Sequence, residues 1–199
     1  GLENMPVLLF FFFFGNHSLA TAKTFYENLK KANPNKDLSN HPARYALAEI
    51  VNLHSKALEF EAIHRIVRNV DNEKLIDAMN NVLEITDEPQ EQSFIYYCGG
   101  TEKKVYIKNT SSNLTVGSLQ MFLDSYLKEN CGEIDYIHGT DAVKKLADKY
   151  NGIGFILPDM NKNQLFPTVI KDGALPRKTF SMGHAADKRF YIECRRISE

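Results

Sequence analysis

Four consecutive residues, Gly15-Asn16-His17-Ser18, separate an apolar run from a helical pattern that begins at Leu19. The first four backbone N–H groups of a helix have no partner within the helix, and the helix dipole adds partial positive charge there. A strand that leads through such a turn into a helix can therefore bind phosphate or another anion. Gly15 allows a tight turn, and Asn16 or Ser18 can cap the helix. The alternative is an ordinary helix cap with a surface histidine.

Two further segments carry side chains of the types that bind anions. His64-Arg65 ends a predicted buried strand, and a guanidinium group can bind a phosphate or carboxylate through two hydrogen bonds. Arg177, Lys178 and Thr179 follow one another in a single loop and combine two cations with a hydroxyl donor. The alternatives are a surface ion pair for Arg65 and a solvated basic loop. We predict that both segments belong to the ligand-binding set.

Several standard catalytic signatures are absent from the sequence. It contains no G-x-S-x-G, H-E-x-x-H, Walker A or G-x-G-x-x-G pattern. Its histidines lack the spacing of a zinc cluster, so we expect no metal site, and the cofactor stays unknown. The sequence does not decide whether the chain is an enzyme. Phosphoryl transfer is the favoured reaction class, with His17 as the catalytic candidate because the reference pKa of histidine lies near neutrality.

The charge balance argues against two classes of partner. The 199 residues include 24 Lys and Arg against 25 Asp and Glu, which gives a formal net charge of -1. We therefore expect neither nucleic acid nor a membrane surface as a partner. Cys98, Cys131 and Cys194 are odd in number and far apart, which favours reduced, buried thiols in a cytoplasmic protein.

The apolar segment Met5–Phe14 is too short to span a bilayer and has no cationic region before it. It is therefore predicted to be a buried strand. It includes five consecutive phenylalanines, Phe10 to Phe14, and such an apolar strand can need a partner subunit to cover it. This favours an alternative function, a non-catalytic binding or assembly module that forms homo-oligomers through the strand.

Helical and strand-like periodicities alternate along the rest of the chain. Strands are predicted at Pro6–Phe14, Leu58–Val67, Ser93–Tyr97, Lys104–Lys108, Ile134–Ile137, Ile153–Leu157 and Lys188–Ile197. Helices are predicted from Leu19, after Asp71 or Asn72, after Thr115, at Asp141–Tyr150 with Thr140 as cap, and at Leu165–Ile170. The pattern predicts an α+β or α/β fold, with a mixed sheet and flanking helices in a single domain over residues 1–199.

Four blocks of the sequence resemble the hallmark segments of one family. These blocks are Gly15–Lys23, His41–Ala46, Ile63-His64-Arg65 and Gly173–Phe180. They are similar to the uncharacterised bacterial family called domain of unknown function 1015, and their order along the chain also fits. The resemblance implies little about activity, because that family is defined without an assigned function.

The chain departs from this family in two respects. Members usually carry Asp-Gly before the Asn-His or His-His pair, whereas Phe14 stands at the Asp position here. Any role of that acid as a base or metal ligand is thus absent from this chain. Members are also longer, so the chain resembles the carboxy-terminal part of a family protein.

One turn is also similar to the phosphate-binding turn of the ParB and sulfiredoxin superfamily. That resemblance implies nucleotide binding and, in some members, phosphate transfer. Ser18 stands where those proteins often place arginine. Taken together, we expect a phosphate, nucleotide or other anion site at Gly15–Ser18, with charge from Arg65, Arg177 and Lys178.

Overall fold

The computed structural model divides the chain into two compact units, one of Gly1–Leu58 with Ala185–Glu199 and one of Glu59–His184. The single domain over residues 1–199 stays a prediction. The described residues are 10–12, 16–46, 50–52, 55, 59–173, 175–182 and 196. The predicted strand Lys188–Ile197 lies outside them except for Arg196.

The first unit contains strand β1 (Phe10–Phe12), helix α1 (Asn16–Ala32) and strand β2 (Ile50–Asn52). The two strands pair antiparallel, with Phe11 opposite Val51. The predicted start of the helix at Leu19 is wrong, because α1 begins three residues earlier. Polar residues fit this first turn because its N–H groups have no acceptor within the helix and need one outside it. Ser18 therefore lies inside the helix and is not its cap.

The second unit is built on a six-stranded antiparallel sheet in the order β5-β7-β6-β9-β4-β8. A shorter ladder pairs β3 with β10. These strands are β3 (Phe60–Ala62), β4 (His64–Arg68), β5 (Ile85–Thr86), β6 (Gln92–Cys98), β7 (Thr101–Ile107), β8 (Glu133–Ile137), β9 (Ile153–Ile156) and β10 (Phe180–Met182). The helices are α2 (Asn72–Val82), α3 (Thr115–Glu129), α4 (Thr140–Tyr150) and α5 (Leu165–Asp172). Helices and strands mixed in this way confirm the α+β class.

The predicted strand Leu58–Val67 is interrupted at Ile63, which separates β3 from β4. The backbone N–H of Ile63 donates to the Thr179 carbonyl at 3.5 Å, and its own carbonyl accepts from Arg65. Because the hydrogen-bond partners of the backbone change at Ile63, the ladder of β3 with β10 ends there and the pairing of β4 with β8 and β9 begins. The strand β10, which follows Thr179, was not predicted from the sequence.

The β6–β7 hairpin has a tighter turn than the sequence predicts. Cys98 pairs directly with Thr101, so only Gly99 and Gly100 form the loop, with φ values of 57° and 81°. Positive φ at both central positions is the geometry of the two-residue turns that match strand twist. The strands predicted at Ser93–Tyr97 and Lys104–Lys108 are therefore confirmed, and each extends further towards the turn than predicted.

The predicted helix caps are confirmed in one case and wrong in two. Asp71 caps α2, as predicted. Thr115 and Thr140 are instead the first residues of their helices, which are preceded by Leu114 and Gly139. Gly139 has a φ of 80°, a conformation that favours glycine, so the cap of α4 is set by the backbone.

Helices cover both faces of the six-stranded sheet. Val67 is buried in the large core that α2 and α3 contribute to, whereas its neighbour Ile66 packs with Ala147 of α4. Successive side chains of a strand point to opposite faces, which explains this division. At Gly154 the close packing of α4 on β9 requires glycine, since a Cβ there would lie 2.5 Å from Cγ1 of Val143.

Replacing Gly154 by alanine is therefore expected to lower the free energy of unfolding by about 1–3 kcal/mol, because overpacking forces the helix away from the sheet. Urea denaturation measures this change. Val143→Ala opens the space, so the double variant should lose less stability than the sum of the two single variants. Strictly additive losses would contradict the proposed steric cause.

Candidate functional site

Arg65 is fully buried, with 0% of its surface exposed, and its guanidinium group is held by uncharged oxygen atoms. Its Nε donates to Oε1 of Gln120 at 3.2 Å, and its Nη2 donates to the carbonyl of Arg177 at 3.4 Å. Its Nη1 donates to the Ile63 carbonyl. Its Cζ also lies 5.3 Å from the centroid of the Tyr136 ring. Arg65 thus joins β4, α3, β8 and the loop before β10.

No ion pair to Arg65 is found among the described residues. Burial lowers the pKa of Arg65 to about 10, which still leaves the group protonated at neutral pH. The nearest acidic member of its hydrogen-bond network is Asp124, which accepts from Nε2 of Gln120 at 2.8 Å. The surface ion pair considered for Arg65 is therefore not formed. Full burial also means that Arg65 acts by holding the loop and by its charge, without touching solvent.

The loop residues Arg177 and Lys178 place further positive charge beside this network. Arg177 Nε donates to the Tyr136 hydroxyl at 3.0 Å, and its Nη2 lies 3.8 Å from Oδ1 of Asp124. The Arg177 side chain remains 62% exposed. Lys178 is also exposed and has a φ of 57°, which is uncommon for lysine. Arg65 and Arg177 therefore share one carboxylate, Asp124, in the described part of the chain, and Lys178 is the next residue of the exposed loop.

Thr179 connects the loop to a cavity. Its hydroxyl donates to the Pro176 carbonyl at 2.5 Å, and the residue is only 8% exposed. Thr179 also lines a cavity of about 230 Å³, together with Gln92 of β6, Thr115 of α3 and Asp159 after β9. The structure thus places Thr179 at the end of the cationic loop, where it also lines a partly open cavity.

His64, the residue before Arg65, is also buried, and its ring takes part in a hydrogen bond within the unit. Its Nδ1 accepts a hydrogen bond from the Leu157 N–H at 3.2 Å, so that nitrogen carries no proton. Burial lowers the pKa of His64, and the nearby Asp159 carboxylate partly opposes this shift. Asp159 itself accepts from the Ala62 N–H at 2.8 Å. A neutral His64 therefore supports the strands, and its Nδ1 is not available to a ligand.

The predicted residues of the first unit are described less completely. Gly15 lies outside the described residues. Asn16 and His17 belong to the first turn of α1, with only their backbone described, and Ser18 is exposed. This turn contains no acidic residue. The predicted site residues therefore belong to different units. The second unit contains His64, Arg65, Arg177, Lys178 and Thr179, and the first contains Asn16, His17 and Ser18 at the start of α1.

Sequence reasoning missed Gln120, Tyr136, Asp124 and Asp159. Gln120 could have been recognised from the sequence, because it occupies the apolar stripe of α3 with Val116 and Leu123. In the structure it is 3% exposed. A polar residue in such a stripe needs a buried partner. Asp159 follows the apolar strand β9 and Pro158, a position at a strand end where ligand-binding residues are common.

Other features of the described residues bear on the remaining predictions. They include no group of three His, Cys, Asp or Glu side chains suited to a metal ion, and no helix there is long and apolar enough to cross a membrane. Cys98 and Cys131 are free thiols. Burial raises the pKa of Cys98, but Cys131 is exposed, so the predicted burial of the cysteines is wrong there. Cys194 lies outside the described residues.

The lowered pKa of His64 predicts a pH-dependent stability. The unfolded chain binds a proton at about pH 6.5, whereas the folded chain binds it only at lower pH. The free energy of unfolding should therefore fall as pH decreases from about 7 to about 5. His64→Asn, whose Oδ1 can still accept the Leu157 N–H, should flatten this part of the curve, measured by urea denaturation. An unchanged slope in His64→Asn would contradict the assignment.

Comparison with known proteins identifies the family. No curated protein and no solved structure matches the chain. Residues 15–126 match the family described as "Protein of unknown function (DUF1015)". The match includes Gly15–Ser18 and His64-Arg65 but ends before Arg177–Thr179, so it is shorter than the resemblance seen in the sequence. Because it covers more than half of the 199 residues, the chain belongs to the DUF1015 family.

Proposed function

We propose that this chain binds a small phosphate-bearing molecule, such as a nucleotide, or another anion. The observation that carries the proposal is the surplus of positive charge around Arg65, Arg177 and Lys178, against which the described network contains only the Asp124 carboxylate. A phosphate group provides the missing negative charge and several acceptor oxygens.

The buried Arg65 prepares the loop for this role. Its hydrogen bond to the Arg177 carbonyl and the hydrogen bond from Thr179 to Pro176 hold the backbone of the loop in one conformation. A loop that is already ordered loses less conformational entropy when a ligand binds. Arg177 and Lys178, both exposed, are the residues that contact the anion in this proposal.

The start of α1 is the second candidate contact for the same class of ligand. The backbone N–H groups of Asn16, His17 and Ser18 lie in a first turn without acidic residues, which suits an anion. Gly15 would complete this turn, as the family resemblance implies. If the bound phosphate is transferred, His17 is the proposed proton-transfer group. We also place the protein in the cytoplasm, on the basis of the free thiols of Cys98 and Cys131 and the wide separation of the three cysteines in the sequence.

The anion proposal predicts that removing one loop cation weakens phosphate binding. Lys178→Ala should raise the Kd for inorganic phosphate and for ATP by about tenfold, the effect of one charge-assisted hydrogen bond. Isothermal titration calorimetry at low and high salt measures this change. Lys128→Ala, at an exposed lysine of α3 outside the cluster, is the matched control and should bind like the original protein.

A second variant distinguishes between the two candidate positions for the anion, the loop and the start of α1. Loss of affinity in His17→Pro, which removes one backbone N–H at a first-turn position where proline is tolerated, with none in Lys178→Ala would assign the site to the start of α1, and the reverse would assign it to the loop. No binding of phosphate or ATP to the unaltered protein, or binding that neither variant changes, would contradict the anion proposal.

The alternative proposal is an assembly module. It is favoured by β1, in which three phenylalanines form one strand of a two-stranded sheet among the described residues. Two strands alone rarely bury enough surface to be stable, so a second copy could supply the cover. Light scattering should then give a dimer or larger mass that Phe11→Thr lowers. A monomer at every concentration tested would contradict this alternative.

A further inference from the structure

We propose a second binding site in the Glu59–His184 unit, in the cavity of about 230 Å³ between β6, the start of α3 and the segment after β9. The geometry points to a small, uncharged, polyhydroxylated ligand about the size of a pentose. This inference rests on the shape and chemistry of the cavity and is independent of the anion proposal.

The chemistry of the lining disfavours an anion. Among the described lining residues are two carboxylates, on Glu91 and Asp159, and no lysine or arginine. The rest of the polar lining is uncharged, with amide side chains such as Gln92 and hydroxyl side chains such as Thr179. Hydroxyl groups of a polyol can donate to the carboxylates and accept from the amides, so one neutral ligand can satisfy both.

Two polar side chains of the lining are buried and keep unused hydrogen-bonding capacity. Gln92 is 7% exposed, and its amide makes one bond to the Ser112 carbonyl at 2.7 Å and one from the Ser118 hydroxyl at 2.9 Å. An amide can donate twice and accept twice, so one N–H and one lone pair remain. The Thr179 oxygen donates its proton to Pro176 and retains its lone pairs. A ligand hydroxyl can use this remaining capacity, in addition to the bonds that both side chains already make.

The wall formed by the loop before α3 is fixed in place. Asp172 accepts from the Ser112 hydroxyl at 2.9 Å and from the Asn113 N–H at 2.8 Å. The Ser118 hydroxyl oxygen accepts from the N–H groups of Ser111 and Ser112. The cavity is therefore largely preformed, which reduces the entropy lost when a ligand is bound.

The volume sets the size of the ligand. Cavities that enclose drug-sized ligands usually measure about 300–1,000 Å³, so 230 Å³ suits a smaller molecule. Leu114, Val116 and Met160 add an apolar wall that can contact the C–H groups of a sugar or polyol. A nucleotide would have to extend out of the cavity, whereas a pentose matches its volume.

The proposal is tested with D-ribose as the probe, by calorimetry or ligand-observed NMR on the full chain. Thr115→Phe places a ring at the first position of α3, where many residues are tolerated, and should abolish ribose binding. Thr110→Phe, at an exposed position outside the lining, is the matched control and should bind ribose normally. Asp159→Asn keeps an oxygen for the Ala62 N–H and should weaken binding by about fivefold, because a charge-assisted hydrogen bond is lost.

The outcomes distinguish the two proposals. Lys178→Ala should leave ribose binding unchanged, and Thr115→Phe should leave phosphate binding unchanged. Absence of ribose binding, ribose binding that survives Thr115→Phe, or tighter binding of ethanolamine than of ribose would each overturn the inference. The last result would indicate a cation site dominated by the two carboxylates.

Discussion

The second unit is organised by the need to supply hydrogen-bond acceptors to one buried cation, the guanidinium group of Arg65. Burying a charge without compensation is strongly unfavourable, and here the compensation comes from a side-chain amide and two backbone carbonyls. The carbonyl of Ile63 is available because β3 ends there, and the carbonyl of Arg177 because the loop before β10 lies against β4. Breaking the strand at Ile63 and positioning the loop are thus consequences of the same buried group.

A second polar network inside the same unit has a comparable effect on α3. Gln92 and Ser118 bind each other and also bind the loop that precedes the helix. Glycine at position 117 is required for this contact, because a Cβ there would collide with the Ser112 side chain. The helix α3 therefore carries two buried polar residues with different partners: Ser118 fixes the loop at its start, and Gln120 holds Arg65.

Local signals account for what the sequence could predict. The cap at Asp71 acts within one helical turn, and the β6–β7 hairpin is determined by Gly99-Gly100 between two strand-like segments. The separation of β3 from β4 and the existence of β10 have no such signal, because they depend on contacts between residues more than 100 positions apart, such as Arg65 with Arg177. Side-chain type alone suggested that both arginines bind a ligand, whereas burial separates their roles.

The two arginines therefore have different roles in the candidate site, because Arg65 is buried and Arg177 is exposed. A guanidinium group that is fully buried and bound to three oxygen atoms cannot bind an incoming anion directly, so its effect on a ligand is transmitted through the loop and through its charge. The Tyr136 ring lies close to both arginines, 5.3 Å from Cζ of Arg65 and 5.7 Å from Cζ of Arg177, and its hydroxyl accepts from Arg177. Two like charges on one aromatic ring are held together by cation–π attraction and by the Asp124 carboxylate. An added anion would relieve the remaining repulsion, and this charge balance is the physical basis of the proposed anion site.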